Sequence, residues 1–316
     1  MKFNFLKSTI IICITAIFLV GCGTNKEVKE DNGVESTVTV TDVRGEVEIP
    51  ANPEKIVDLS GNSDILSILG YKVIGTANSD AYDYTKFPSY LEDTLKGAEI
   101  LGYSMQDTMD IEGVMNLEPD LIVISTVQEK MYDQLNKIAP TVMIQLDALD
   151  WKADLKSFSK VFNKEDKADK WLADYEAKAK KAGDKVKGEF GEDKTYLSFL
   201  ASGGQFFIFD GAGFGSVLYE DMGLKKPEGM PKQGDISLPV VTYEGLASIK
   251  TDYIFLMATK EDLAQLESNA IWNSLPAVKN GNVIVLEASP YFNQGYSSIG
   301  RDILVDEIGE MLNETK

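Results

Sequence analysis

The stretch EGVMNLEPDLIVIS, residues 112–125, can be laid without a gap over EGLASIKTDYIFLM, residues 244–257. Glu112/Glu244, Gly113/Gly245, Asp120/Asp252 and Ile122/Ile254 are identical, and Leu117/Ile249 is a similar pair. Each segment reads as a short helix, a turn and a continuous apolar run, the pattern of a strand buried on both faces. A unit of this kind occurring twice predicts duplicated architecture.

Working outward, short apolar runs alternate with helical ones on both sides of the first copy. KIVDLS (55–60), KVIGT (72–76), DLIVIS (120–125) and TVMIQL (141–146) read as strands, with SDILSILG (63–70), DIEGVMNL (110–117) and EKMYDQLNKI (129–138) as helices. Around the second copy TYLSFL (195–200), FFIFD (206–210), YIFLM (253–257) and NVIVL (282–286) alternate with helices near 214–222 and 260–267. A last helix follows from Ile299, Ile303, Leu304, Ile308 and Leu312. Alternation of this sort implies parallel strands with crossover helices. The expected fold is α/β, with two Rossmann-like lobes at 37–162 and 191–316 and a ligand cleft between them.

Between the lobes, Trp171, Tyr175, Ala179, Ala182 and Val186 recur at helical spacing on one face, and Gly188 and Gly191 mark the end. This predicts one long helix within 163–190 as the only connector. A helix of about 24 residues is roughly 36 Å long, enough to run along two lobes side by side. Such a link permits small rocking rather than wide hinge opening.

At the other extreme of the pattern, MKFNFLKSTIIICITAIFLVGC (1–22) has an early positive charge, a short apolar core and a small residue before the cysteine. That is the layout of a signal peptide, shorter than the roughly 20 apolar residues a bilayer span needs. LVGC resembles the bacterial lipobox, which implies cleavage after residue 21 and lipidation of Cys22. Residues 22–36, polar and without periodicity, read as a flexible tether.

Composition narrows the function. Lys2 and Lys7 leave with the signal, so of 31 basic and 50 acidic residues 29 and 50 remain, a net charge of −21. A surface so acidic disfavours nucleic acid and anionic lipid as partners. There is no histidine, which removes Ser-His-Asp and Cys-His machinery and imidazole zinc sites. The second cysteine, Cys13, lies in the signal, so the mature chain has no internal disulfide. The 280 residues beyond residue 36 must be held by their core.

In open α/β sheets ligands bind outside the carboxyl ends of the strands. The loops expected there carry Tyr82, Tyr84, Tyr103, Met105 and Gln128 from the first lobe. Gln205, Phe214, Tyr291, Phe292, Asn293, Gln294 and Tyr296 come from the second. This set is aromatic and amide-rich with little positive charge. A single loop aromatic more often covers core than contacts ligand, and Met105 is more often packing than a metal ligand. Arg301, in the first turn of the last helix, reads first as an ion-pair residue and second as a ligand contact. Asp80, Asp83 and Asp107 could form a carboxylate pair, but acids are too abundant for their grouping to signal catalysis. GAGFG (211–215) lacks the spacing of a phosphate loop and reads as a turn into a helix.

Several segments, in order, resemble one family: TDVRGEVEIPANPEKIVDLS, SDILSILG, LGYSMQDTMDIEGVMNLEPDLIVIS, QLNKIAPTV, FGSVLYEDMGL and IWNSLPAVKNGNVIVL. Over nearly all of the mature chain they look like the iron-siderophore and cobalamin class of substrate-binding lipoproteins of ABC importers, closest to Gram-positive ferric hydroxamate binders. The resemblance implies a monomeric, non-enzymatic receptor on the outer face of the membrane, with iron coordinated by the siderophore and no cofactor of its own. It also implies one acidic residue per lobe facing arginines of the permease dimer, at positions matching Asp64 and Glu220. The arginine that hydroxamate-binding relatives often carry near the segment matching GAGFGS is missing. The strand leading to SFLASGGQFFIF lacks the Lys and Arg of catecholate binders, so a roughly neutral ferric trihydroxamate fits the loops better. The alternative on the same scaffold is a haem or corrinoid receptor, which without histidine would need a tyrosine axial ligand. Alternatives of other classes are an extracytoplasmic carboxylate-dependent hydrolase and a surface adhesion lipoprotein.

Overall fold

Two five-stranded sheets, each covered by helices, are joined through one long helix. The structure is a computed structural model that describes residues 36–147 and 149–315. The expected signal peptide, the expected lipidation site Cys22 and the expected tether up to residue 35 fall outside the described residues.

The chain enters through an antiparallel hairpin, β1 (Thr37–Asp42) and β2 (Gly45–Pro50). The first lobe follows as β3 (Ile56–Asp58), α1 (Ser63–Ile68), β4 (Val73–Asn78), β5 (Glu99–Tyr103), α2 (Ile111–Asn116), β6 (Leu121–Ser125), α3 (Tyr132–Leu135) and β7 (Thr141–Ile144). Its strands are all parallel, in the order β5-β4-β3-β6-β7. The hairpin covers the β7 edge: Met143 N donates to Asp42 Oδ2 at 2.7 Å and Val43 N to Met143 O at 3.4 Å. An edge left bare would expose unpaired backbone groups.

Two helices lead out of this lobe, α4 (Trp151–Val161) and α5 (Glu165–Phe190). The 26 residues of α5 give it a length of roughly 39 Å. Its buried positions are Ala168, Leu172, Tyr175, Ala179, Gly183 and Val186, a face turned slightly from the expected one, with Trp171 and Ala182 at its margin. Gly183 is where another backbone comes closest, for a Cβ there would stand 1.8 Å from Met222 O.

The second lobe is β8 (Tyr196–Ser202), β9 (Gln205–Ile208), α6 (Gly213–Ser216), β10 (Val240–Val241), α7 (Tyr243–Ser248), β11 (Tyr253–Ala258), α8 (Lys260–Glu267), α9 (Ala270–Ser274), α10 (Pro276–Lys279), β12 (Val283–Glu287), α11 (Ala288–Gln294) and α12 (Ser298–Asn313). Its order is β10-β9-β8-β11-β12. Here the alternation misled in one place, because β9 runs antiparallel to β8 instead of parallel. Only Gly203 and Gly204, both at positive φ, separate the two strands. Two residues suffice for a hairpin, whereas a parallel return needs a crossover of a dozen or more. The helix expected over 214–222 is α6 followed by a π-type turn, Val217–Asp221.

Side-chain alternation along the strands divides the core into three. Leu121 and Val123 of β6, Tyr196 and Leu200 of β8, and Phe255 and Met257 of β11 face one continuous cluster that also takes Phe158 of α4, Tyr175 and Ala179 of α5, and Leu304 and Ile308 of α12. Ile122 and Ile124 point into a separate cluster in the first lobe, and Leu197, Phe199, Ile254 and Leu256 into another in the second. Thus each lobe has its own outer core, while the inner cores are one. A shared inner core restricts the lobes to small relative motion.

Candidate ligand-binding cleft

The loops at the carboxyl ends of β4, β5 and β6 are tied to one another. Ser104 N donates to Asn78 O at 2.9 Å, and Gln128 Nε2 donates to Ser104 O at 2.7 Å and Gln106 O at 3.0 Å. Gln128 Oε1 accepts from Ser125 Oγ at 2.8 Å and Ser125 N at 3.1 Å. All of its amide capacity is used and the side chain is fully buried. Gln128 therefore fixes the loops, correcting the expectation that it contacts ligand.

What these loops leave accessible is aromatic. Tyr84 stacks on Tyr103 with ring centres 5.8 Å apart, and Tyr82 meets Phe292 of α11 edge-on, also at 5.8 Å. Phe292 continues the row to Phe209 and Tyr296, at 5.9 and 6.2 Å. Partial desolvation against the neighbouring lobe, with Asp262 and Asp80 adding to it, pushes the Tyr82 phenol up to about 12. Burial also raises the Tyr103 phenol. Tyr82, Tyr84 and Met105 are exposed, Met105 most of all at 63%. Tyr84, Gly102, Gln106 and Met109 line a depression of about 490 Å³. On the other lobe Gln205 is exposed beside the tip of the β8–β9 hairpin.

Contacts between Tyr82 and Phe292, and between Ala81 N and Asn293 Oδ1 at 3.0 Å, bring the strand-end loops of the two lobes together. Each rim lysine of the first lobe has an acidic partner: Lys86 with Asp83 at 3.1 Å and Lys130 with Asp107 at 2.8 Å. Among the described residues, no group of three or more Cys, Asp or Glu could hold a metal ion.

Several other expected contacts are elsewhere. Phe214 is fully buried against Phe255, because the turn at Gly211–Gly213 directs it into the inner core. Gln294 is buried too, with Nε2 donating to Gly300 O at 3.4 Å. Tyr291 is half-buried beside β12 and the C-terminal half of α12, next to Val283, Val285 and Met311. Its phenol is raised by burial and by Glu307, Glu314 and Glu287.

Arg301 is 1% exposed and is spent on structure. Its Nη2 donates to Asp221 Oδ2 at 2.7 Å and Ser216 Oγ at 2.8 Å, its Nη1 to Gly295 O at 2.6 Å, and its guanidinium lies 4.8 Å from the Trp151 ring centre. Tyr175 of α5 donates to the same Asp221 oxygen at 2.6 Å. This joint links α4, α5, α12 and the π-type turn, so the ion-pair reading holds and the ligand contact does not.

Asp64 is buried and accepts from Ser297 Oγ at 2.7 Å and Ile299 N at 3.3 Å, between the first turns of α1 and α12. Burial raises its pKa against those hydrogen bonds. A carboxylate so enclosed is unavailable to a partner protein, which corrects its assignment as a docking acid. Glu220 is exposed.

The repeated segment supplies a further pair of acids, whose signal in the sequence is the repeat itself. Glu112 and Glu244 are both exposed, each the second residue of its helix, α2 and α7. The residues before those helices cap them alike: Asp110 Oδ1 accepts from Gly113 N at 2.9 Å and Thr242 Oγ1 from Gly245 N at 3.4 Å. Both helices start from the strand-end edge of their sheet, so the two acids occupy corresponding places on the two rims.

A pair of α/β lobes on a stiff helical link, with aromatic strand-end loops meeting between them, is the architecture of a two-lobed small-ligand binding protein. The chain belongs to the periplasmic binding protein family, whose pattern matches residues 61–290. It is 33% identical over 287 residues to the iron(3+)-hydroxamate-binding protein FhuD of Bacillus subtilis, covering 87% of each chain. Among solved structures it resembles a FhuD fold-family component of a ferrichrome ABC transporter from Bacillus subtilis, at 29% identity and a TM-score of 0.72, over 86% of this chain and 99% of that one. It also resembles Staphylococcus aureus SirA complexed with staphyloferrin B, at 26% identity and a TM-score of 0.68, over 89% and 100%.

Proposed function

We propose that the chain is a monomeric, lipid-anchored extracytoplasmic receptor that captures a ferric siderophore of hydroxamate type and delivers it to an ABC importer. Similarity to an iron(3+)-hydroxamate-binding protein and to a component of a ferrichrome ABC transporter supports the siderophore class. The observation that carries the hydroxamate preference is the state of the rim charges on the first lobe. Lys86 and Lys130 are already paired with Asp83 and Asp107, while Tyr82, Tyr84, Tyr103 and Met105 offer apolar faces. A neutral complex loses little on entering such a surface, whereas a polyanionic one would have to displace both acids. Gln205 would add an amide contact from the second lobe. Iron enters inside the siderophore, and no resident cofactor is called for.

Delivery requires a surface on each lobe that the permease can grip. Glu112 and Glu244 suit that role, being exposed and related by the repeated helix–strand unit, and they take the place of Asp64; Glu220 remains a further exposed candidate.

One experiment covers both halves of the proposal. Full-chain protein titrated with a ferric trihydroxamate should lose tryptophan fluorescence with submicromolar affinity. Glu112→Ala and Glu244→Ala should leave that titration unchanged, yet lower uptake by cells carrying the variant in place of the wild type. No response to a broad siderophore panel would sink the receptor reading, and a Soret shift with haem would redirect it to haem. Normal uptake by both variants would remove the docking pair.

A further inference from the structure

The loop after β4 carries Tyr82 and Tyr84, and one buried carboxylate organises it. Asp80 is 1% exposed. Its Oδ1 accepts from Tyr82 N at 2.8 Å and from Asp83 N at 3.2 Å, an Asx turn that sets the path of the loop. Its Oδ2 accepts from Ser289 Oγ at 2.6 Å, on the other lobe. The next residue repeats the connection, since Ala81 N donates to Asn293 Oδ1 at 3.0 Å. Tyr82 then packs edge-on against Phe292. Ser289, Phe292 and Asn293 all belong to α11, the segment that follows β12.

The strand-end loop of the first lobe is thus held by that of the second through two hydrogen bonds and a ring contact, one of the bonds charge-assisted and made by a buried carboxylate. Hydrogen bonds to charged groups are the stronger kind, and burial makes them costly to leave unmade. A binding wall already fixed in place spares the ligand the entropy of ordering it.

We infer that Asp80 is a positioning residue for ligand capture: it clasps the Tyr82 loop to α11 and presets the aromatic wall across the lobe junction. The inference rests on the proposed function, in which that wall holds the siderophore. Asp80 acts through Tyr82 and does not itself touch the ligand. Loosening the clasp should leave the fold intact and let the bound complex escape faster.

The test uses the full chain and two independent variants, Ser289→Ala and Asn293→Ala, with Ser289→Thr as the rescue. Hydrogen exchange of the free protein should show the amides of Ala81, Tyr82 and Asp83 exchanging roughly tenfold faster in each alanine variant, with other segments unchanged. Stopped-flow fluorescence should show a ferric trihydroxamate leaving faster by a similar factor, and Ser289→Thr should restore both rates. Exchange at residues 81–83 unaltered in both alanine variants overturns the clasp. Faster exchange with unaltered dissociation overturns the positioning role. If the wild type binds no siderophore, the receptor reading and the positioning role fall together, and the exchange result then shows whether the clasp itself exists.

Discussion

In the first lobe Asp120, between α2 and β6, accepts from the backbone N–H groups of Glu54 at 2.7 Å and Lys55 at 3.0 Å, just ahead of β3. In the second, Asp252 between α7 and β11 accepts from Thr195 N and Thr195 Oγ1, both at 2.9 Å, just ahead of β8. The same acid closes the same corner of both sheets, and β3·β6·β7 corresponds to β8·β11·β12. Beyond those strands the lobes part. The first continues with parallel β4 and β5, whose crossover supplies the long loop carrying Tyr82 and Tyr84. The second turns back in the β8–β9 hairpin, whose two-residue tip has no room for such a loop. A common half therefore builds the scaffold, and the unlike half decides which lobe adds the long loop with Tyr82 and Tyr84 to the aromatic row that Phe292 continues from the other side.

The strongest way to break this comparison is at the joint where the halves share a core. Arg301→Met leaves Asp221 buried without its cation, and breaking a buried pair from one side costs about 3–5 kcal/mol. Urea unfolding should show a loss of unfolding free energy of that size in a single transition if the lobes unfold as one body. Adding Asp221→Leu should recover most of the loss, because the uncompensated charge is then gone. A small effect of the single variant would show that the lobes are held mainly by other contacts.

The part of this architecture that repeats was legible in the sequence, since Glu112, Gly113, Asp120 and Ile122 recur as Glu244, Gly245, Asp252 and Ile254 and land in matching elements. The long helix was legible for the same reason: a period is local information. The direction of β9 was also written there, in Gly203–Gly204, a pair too short for anything but a hairpin. The state of the loop residues was not. An amide such as Gln128 looks the same in sequence whether it faces solvent or satisfies three neighbouring loops, and the partners of Arg301 and Asp64 lie 80 and 233 residues away. Asp80 stood among many acids, and nothing near it in the chain marked Ser289 as its partner.

A smaller effect separates the lobes by pH. Buried acids with raised pKa gather in the first lobe: desolvation raises Asp58 and Asp64, and pushes Asp154 of α4 to about 7, with Asp147, Asp150 and Asp64 adding to it. In the second lobe burial also pulls Asp252 upward, but hydrogen bonds from Lys194 and Thr195 outweigh it and hold the group low. For Asp154 the unfolded chain loses its proton near the ordinary value of 3.8, while the folded chain keeps it until about 7. Folding stability from this group is thus intact below about pH 4, falls as pH rises toward 7, and is flat above. Asp154→Asn, which keeps an oxygen for the Asp147 N–H, should gain on the order of 2 kcal/mol at pH 8 and nothing at pH 4. Denaturation midpoints at the two pH values measure it, and an equal gain at both would mean that desolvation is not the cause.

The finest test compares the twin corner acids directly. Asp120→Asn and Asp252→Asn each retain one oxygen acceptor but give up the charge and one of the accepted hydrogen bonds. Each should cost about 1 kcal/mol, the usual net worth of one such bond. The two sites differ in one respect, for Asp252 also pairs with Lys194 at 2.9 Å and Asp120 has its backbone donors alone. The Lys194 head is substantially exposed, so that pair adds little. Nearly equal losses in urea midpoint would mark the corner as one device used twice. A loss at Asp252 larger by 1 kcal/mol or more would show instead that the second lobe leans on its lysine, and that the likeness of the two corners is one of shape without a common energetic basis.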